Sequence, residues 1–269
     1  MSLRVHLGRF FIRLGRFIQS MAIMVMRPDD LVEFSRQLYA SQKEISYWSS
    51  EELLRRGLTP LESALLEQIP LKTGRALLLF AGGGRDAIPL AQMGFEVTVV
   101  EFIPEMLDRL RIHAAAQGVR IIGLVQEASQ LQVPEADYDL IWLAYSMYSS
   151  VPTRDRRVAM LRRIRRALKP QGYFYCSFHW EKLKVYPAPL EWIRKFFALL
   201  SRGNLSYEPG DMLWGTAEFL HAFASKDELE AEFSAGGFDL LQLQVPERGV
   251  EAGAILTPRK EIDPYHPEG

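Results

Sequence analysis

With 269 residues the chain can build one large α/β domain with additions, and its composition is that of an ordinary globular protein. Its 32 basic and 33 acidic residues nearly cancel, so no overall field points to nucleic acid. A single cysteine, Cys176, excludes a disulfide framework and a Cys-rich metal site, and no run of about 20 apolar residues offers a membrane span.

Residues 1–27 carry Arg4, Arg9, Arg13, Arg16 and Arg27 and no acid. On a helical wheel of about 100° per residue, His6, Arg9, Arg13, Arg16 and Ser20 share one side. Leu3, Leu7, Phe10, Phe11, Leu14, Phe17, Ile18, Met21 and Val25 share the other. Three readings stay open. The apolar face docks on the protein or a second copy of it; the helix lies in a membrane surface; or the segment is an Arg-rich presequence. Arginines interrupt the apolar residues, so a cleaved signal peptide is not expected, and the protein is expected in the cytoplasm, with peripheral membrane contact through residues 1–27 as the alternative. Pro28 ends this helix, because proline disfavours helical geometry in the residue before it.

Residues 28–72 read as a helical cap. Leu31, Phe34, Leu38 and Tyr39 recur at helical spacing, as do Leu53, Leu54, Leu61, Leu65 and Leu66. Ser50-Glu51-Glu52 and Thr59-Pro60-Leu61-Glu62 are helix starts, with a capping hydroxyl followed by acids or proline.

From residue 73 the rhythm becomes strand, helix, strand. Strands are predicted at 76–80, 96–101, 119–125, 138–143 and 173–178, with helices at 86–93, 104–117 and 154–168. Near-continuous apolar strands alternating with helices predict a doubly wound, mostly parallel α/β sheet. The domain is expected to run over 73–258 with an insertion at 181–216 and a tail at 259–269.

Gly82-Gly83-Gly84 follow the first strand, and glycine costs stability there unless the backbone needs it. A glycine-rich strand-to-helix turn lets a ligand approach the backbone and points helix N–H groups at it. Glu101 ends the second strand, where its carboxylate can accept hydrogen bonds from a ribose diol. A nucleoside-containing ligand is expected. Gly82-x-Gly84-x-x-Ala87 also fits a dinucleotide fingerprint, a weak pattern alone.

The stretch "LLLFAGGGRDAIPLAQMGFEVTVVEFIPEML" resembles the first two motifs of class I S-adenosylmethionine-dependent methyltransferases. "QEASQL" at 126–131 resembles their acid-alanine motif, "ADYDLIWLAYSMYSSV" their fourth strand and active-site loop, and "IRRALKPQGYFYCSF" their fifth strand. "EFLHAFASKDELEAEFSAGGFDLLQLQV" and "AGAILTP" resemble the closing elements of the small-molecule branch, so the resemblance covers roughly 73–258. It implies the Rossmann-like fold and S-adenosylmethionine as cofactor. It implies that Phe80, Ala81, Gly82, Gly83 and Gly84 form the cradle for the methionine part and that Glu101 holds the ribose. Phe102 then lies on the adenine with Glu127 and Ala128 at its edge, and Ala144 and Tyr145 lie beside the sulfonium. Asp86 is either a ligand-holding acid or a carboxylate favoured by the helix dipole.

Leu78 and Phe80 depart from the family, which has an acid and a glycine there. The departure removes a polar anchor for the methionine amino group and puts a ring where close approach is usual. Candidate catalytic groups at strand ends are His179, His221 and Tyr145, each histidine having a structural reading as well. His113, flanked by Arg109 and Arg111, reads as solvated surface, and His266 lies near the end. Trp192, Phe196, Phe197 and Trp214 either line an acceptor pocket under a lid or pack the insertion on the sheet. The arginine run at 154–166 opposes a stripe of Val158, Leu161, Ile164 and Leu168, and reads as a solvated helix face rather than a nucleic-acid surface. No cluster has metal-ligand spacing.

The expected activity is methyl transfer from S-adenosylmethionine to a small-molecule or lipid-like acceptor. The rival is a binding protein with an eroded site. A nicotinamide oxidoreductase is third, because no substrate domain follows residue 170.

Overall fold

The computed structural model describes residues 3–182, 187–215 and 218–260. His266, residues 261–269 of the expected tail, and residues 183–186 and 216 of the insertion lie outside the described residues.

The N-terminal part is helical: α1 (Leu3–Val25), α2 (Pro28–Tyr39), α3 (Gln42–Trp48), α4 (Glu51–Arg56) and α5 (Pro60–Glu67). Pro28 starts α2, and the Arg27 amide donates to Asp30 at 2.8 Å. Ser50 caps α4. Thr59 and Glu62 form a reciprocal capping box on α5, satisfying two amides that no helix turn can reach.

The alternating part follows as β1 (Gly74–Leu79), α6 (Ala87–Gln92), β2 (Phe95–Glu101), α7 (Pro104–Ala116), β3 (Ile121–Val125), β4 (Tyr138–Leu143), α8 (Arg154–Ala167) and β5 (Leu168–His179). Then come α9 (Ala188–Leu200), β6 (Asp211–Trp214), β7 (Glu218–His221), α10 (Lys226–Ala235), β8 (Phe238–Gln244) and β9 (Glu251–Pro258). The sheet order is β3-β2-β1-β4-β5-β9-β8, with β1 to β5 parallel and β9 antiparallel to both its neighbours. Asp211–Trp214 of the insertion pairs antiparallel with Glu218–His221 in a second small sheet, β6–β7.

Side chains alternate across β1. Leu77 and Leu79 pack with Ile141, Phe174 and α8, while Ala76 and Leu78 pack with Leu90, Leu107 and Leu110 under α6 and α7. Both faces of the sheet are therefore dry, and each buried leucine contributes roughly 1.5–3 kcal/mol. The strand order reverses between β1 and β4, which opens a crevice at their carboxyl ends.

Two expectations about charge are corrected here. Arg157, in the run read as solvated, is buried; its Nε donates to Glu232 at 2.8 Å and its Nη2 to Glu208 at 2.8 Å. The stripe opposite was read correctly, and Arg157 lies beside it because the carboxylates that neutralise it come from distant chain. His113 is half-buried, its Nδ1 3.0 Å from the carbonyl of Gly83.

Candidate functional site

The loop after β1 explains its glycines one at a time. Gly82 has φ +52° and Gly84 φ +104°, conformations that L side chains rarely adopt. A Cβ on Gly83 would stand 2.6 Å from the carbonyl oxygen of Trp48 and the Cα of Ser49. The Gly83 amide donates to that same Trp48 carbonyl at 3.2 Å. The close approach at Gly83 is thus made by the chain's own α3, which closes the loop from above. Around Gly82 the space is open, its nearest neighbour being Trp48 at 3.9 Å from an added Cβ.

Glu101 faces this loop from the end of β2. Its Oε2 accepts the Gly82 amide at 3.2 Å, and its Oε1 accepts the amides of Phe102 at 2.9 Å and Ile103 at 3.1 Å. Burial pushes this carboxyl above its usual range, and the three amides pull it back. A carboxylate offers about four acceptor positions, so one position, on Oε2, remains for a ligand hydroxyl.

Beside them lies a cavity bounded by Phe80, Ala81, Gly82, Gly83, Glu101 and Phe102 on the strand side, and by Asp86 and Tyr145. Tyr39, Trp48 and Leu53 of the helical cap close it, with Arg85, Ile103, Met106 and Met147 completing the wall. Phe80 and Phe102 meet edge to face at 5.9 Å, and Trp48 meets Tyr145 the same way at 5.0 Å. A neighbouring cavity shares Tyr39, Phe80, Phe102 and Met147 and adds Glu127.

A buried ionic group forms the floor. Arg85 donates to both oxygens of Glu62 at 2.6 Å and lies 2.5 Å from Asp86. Its guanidinium also stacks 4.1 Å from the Tyr145 ring. Burial pushes the Asp86 carboxyl up to about 7 against the attraction of Arg85, and Glu62 adds to the rise. Burial, with Asp86 and Glu62, pushes the Tyr145 phenol up to about 12 although Arg85 opposes it. Tyr145 and Ser146 both take left-handed backbone, φ +55° and +56°, and the Ser146 amide donates to Ser177 Oγ at 2.7 Å. Strain of that kind is worth roughly 1–2 kcal/mol per residue.

Most residues expected at the site therefore come together: Phe80, Ala81, Gly82, Gly83, Asp86, Glu101, Phe102 and Tyr145 share one cavity, and Glu127 lines its neighbour. Gly84 turns the chain against Ile88 and Leu110, and Ala128 and Ala144 are buried in the core. Neither His179 nor His221 lines the cavity. His179 meets the Trp214 ring at 4.7 Å and approaches Glu181 at 3.3 Å; His221 Nδ1 lies 2.8 Å from Asp211. Both are buried, at the ends of β5 and β7.

Glu208, Asp211 and His221 are, among the described residues, the one group with ligand atoms within 4.8 Å of each other. Glu208 accepts from the Arg154 amide and from Arg157, and Asp211 accepts the Glu208 amide and lies 2.8 Å from His221 Nδ1. A guanidinium at 2.8 Å also opposes a cation there.

Trp192, Phe196 and Phe197 are exposed on α9 and do not line the cavity beside Glu101. Sequence reasoning missed Tyr39, Trp48, Glu62 and Arg85. The aromatic residues of 39–48 and the Thr59/Glu62 pair were visible as helix features, with no signal that they fold over the strand ends.

Fold and site define a doubly wound α/β domain capped by helices, with a pocket at the carboxyl ends of its strands. Residues 76–172 match the family model described as methyltransferase domain. An uncharacterised protein of Mycobacterium tuberculosis is 27% identical over 172 residues, 64% of this chain and 58% of that protein. The 27-O-demethylrifamycin SV methyltransferase of Amycolatopsis mediterranei is 27% identical over 149 residues, 54% of this chain and 53% of that enzyme. The chain thus spans a little over half the length of these curated relatives. Among solved structures, a Pyrococcus horikoshii protein superposes with a TM-score of 0.61 at 17% identity, covering 83% of this chain and 99% of that one. An S-adenosylmethionine-dependent methyltransferase of Methanosarcina mazei gives 0.59 at 19% identity, covering 76% and 100%. Residues 76–172 are thus similar to methyltransferase domains, and the fold is the one seen in S-adenosylmethionine-dependent methyltransferases.

Proposed function

We propose that this protein binds S-adenosylmethionine in the cavity between the glycine loop and Glu101 and transfers its methyl group to a small-molecule or lipid-like acceptor. The observation that carries the reading is Glu101: a buried carboxylate at the end of β2, facing Gly82, with one acceptor position left on Oε2. The residues fit the cofactor. Glu101 would accept a ribose hydroxyl, Phe80 and Phe102 would flank the adenine, and the open side of Gly82 would admit the chain of the methionine part.

Leu78 carries no anchor for the amino group, because it lies in the core under α6 and α7. Glu101 and Asp86 are the two carboxyl groups on the cavity wall. Asp86 would therefore hold the methionine ammonium, replacing the acid missing at position 78. An ammonium beside it would favour its ionised form and lower its pKa again.

When bound, the sulfonium supplies an already activated methyl group. The protein's part is then to position acceptor and methyl in line and to exclude water. Tyr145, Trp48 and Tyr39 form the wall that does so. With its phenol near 12, Tyr145 is a poor base at neutral pH, so the site suits an acceptor that is nucleophilic without losing a proton to the protein. Incubation with methyl-labelled S-adenosylmethionine and a fractionated metabolite and lipid extract tests the reading. Acceptor-dependent release of S-adenosylhomocysteine supports it; binding without release in any fraction favours the second reading, a binding protein.

That second reading rests on Phe80. It takes φ +57° where the family has glycine, and its ring occupies the wall that the cofactor would approach.

A further inference from the structure

We propose that α1 and α9 together form one surface that lies on an anionic lipid bilayer. The inference stands on the geometry of these two helices and not on methyl transfer.

The way α1 is attached decides the question its sequence left open. Only Ser20, Ile23 and Met24 of α1 are buried, all in its last two turns. On a wheel of about 100° per residue these three centre roughly 130° from the apolar stripe. The helix therefore docks by its polar side; at its C-terminal end Phe17 and Met21 of the stripe are half-buried, and from Leu3 to Leu14 the stripe does not face the body. Leu3 is 84% exposed, Phe11 59% and Ile18 60%, and every residue from Leu3 to Arg16 is exposed. Of the readings left open for this segment, packing of the stripe between Leu3 and Leu14 on the protein's own body is not the one the structure takes.

The attachment itself is built in. A Cβ on Gly203 would collide with the carbonyls of Met24 and Val25, and the Asn204 amide donates to Met24 at 2.8 Å. Arg27 Nε donates to the carbonyl of Arg202 at 2.9 Å. Ile23 and Met24 pack with Ala198 of α9 and with Leu31 and Phe219 in one small core.

The second helix repeats the arrangement. In α9 the buried residues are Arg194 and Ala198, four apart on one side. Trp192, Phe196, Leu199 and Leu200 occupy the opposite arc, with Trp192 74% exposed and Leu200 68%. Both helices hang on the same core and turn their apolar arcs away from it. Exposed apolar surface of this extent marks an interaction site, since a water-facing protein normally keeps such patches small.

Charge selects the occupant. Within α1 there are Arg4, Arg9, Arg13 and Arg16 and no acid; on α9 the single acid, Glu191, is paired with Arg194 at 2.9 Å, leaving Lys195 in excess. Four arginines and no acid on a helix with an aromatic and aliphatic stripe match anionic headgroups above an acyl boundary, where a tryptophan also sits well. A flat membrane surface suffices, since no helix among the described residues is long and apolar enough to cross a bilayer.

The test is co-sedimentation of the full chain with vesicles of phosphatidylcholine containing one quarter phosphatidylglycerol, beside vesicles of phosphatidylcholine alone. The expected result is binding to the anionic vesicles, at least tenfold weaker on the neutral ones and weakened by salt. Phe11→Asp with Ile18→Asp, and separately Trp192→Asp with Phe196→Asp, should each reduce binding tenfold or more. All four side chains are exposed, so an unchanged melting temperature verifies that the variants fold. Absence of vesicle binding overturns the proposal, as does an α9 variant that binds like the parent. A lipid-free dimer in the ultracentrifuge that these substitutions dissociate also overturns it, because a second copy would then cover the face.

Discussion

The amide of Gly82 donates to Glu101 Oε2 across 3.2 Å, tying the glycine loop of β1 to the end of β2 through a carboxylate that also caps Phe102 and Ile103. Glu101 is thus a structural brace as well as the candidate ribose acceptor. Removing it leaves three amides without their acceptor, each worth roughly 1–3 kcal/mol when buried. Glu101→Ala should lower the melting temperature as well as abolish nucleoside binding. Calorimetric unfolding of the variant reads the first effect, and an unchanged melting temperature would contradict the brace.

Phe80 stands at φ +57°, where a side chain costs roughly 1–2 kcal/mol and a glycine almost nothing. Phe80→Gly removes that strain but also the ring's packing against two core clusters and Phe102, so stability should fall while affinity for S-adenosylhomocysteine rises. Leu78→Asp is a different matter. Leu78 is 1% exposed, and a carboxylate there would be buried without a partner. Urea denaturation should report a loss of several kcal/mol for Leu78→Asp, of the kind a buried unpaired charge produces.

Asp86 sets a pH dependence with a definite sign. Its pKa in the folded chain is raised to about 7 from an ordinary 3.8. The folded state therefore holds a proton that the unfolded state has released, so this contribution is complete below about pH 4 and is lost as pH rises through about 7. Asp86→Asn should flatten the fall in stability between those limits. Parallel profiles for parent and variant would show that Asp86 stays ionised with Arg85.

How much of this the sequence disclosed depends on the range of the interactions. The strand-helix rhythm of 73–179 is local, and its apolar strands and caps were legible within a residue or two, except that β5 starts earlier than expected, at Leu168. The glycine loop, Glu101, Phe102 and Tyr145 were legible because topology alone brings strand ends together. Trp48 over Gly83, Glu62 under Arg85 and Glu232 beside Arg157 were not, since each pairs residues 23 to 75 positions apart through packing that leaves no periodic trace. The helix α1 was legible as an amphipathic pattern, and its partner was left open. Its amphipathic wheel says which face is apolar, not which face is docked.

Arg157 offers a test remote from the cavity. It is 1% exposed and neutralises Glu232, whose Oε1 also takes the Tyr148 hydroxyl at 2.5 Å. Arg157→Met should destabilise by roughly 3–5 kcal/mol, the usual consequence of leaving one member of a buried pair alone. Denaturant titration measures it, and a loss under 1 kcal/mol would place Glu232 in contact with water.

The central claim, that Glu101 holds a cofactor ribose beside the glycine loop, is tested most directly by calorimetric titration of the full chain with S-adenosylhomocysteine and with its analogue lacking both ribose hydroxyls. Changing the ligand leaves the brace to Gly82, Phe102 and Ile103 intact. The account predicts one-to-one binding of S-adenosylhomocysteine and an affinity at least tenfold lower for the analogue, the loss of a charge-assisted hydrogen bond of about 1.5–3 kcal/mol. Equal affinity for the two ligands, or no binding of either, would contradict it.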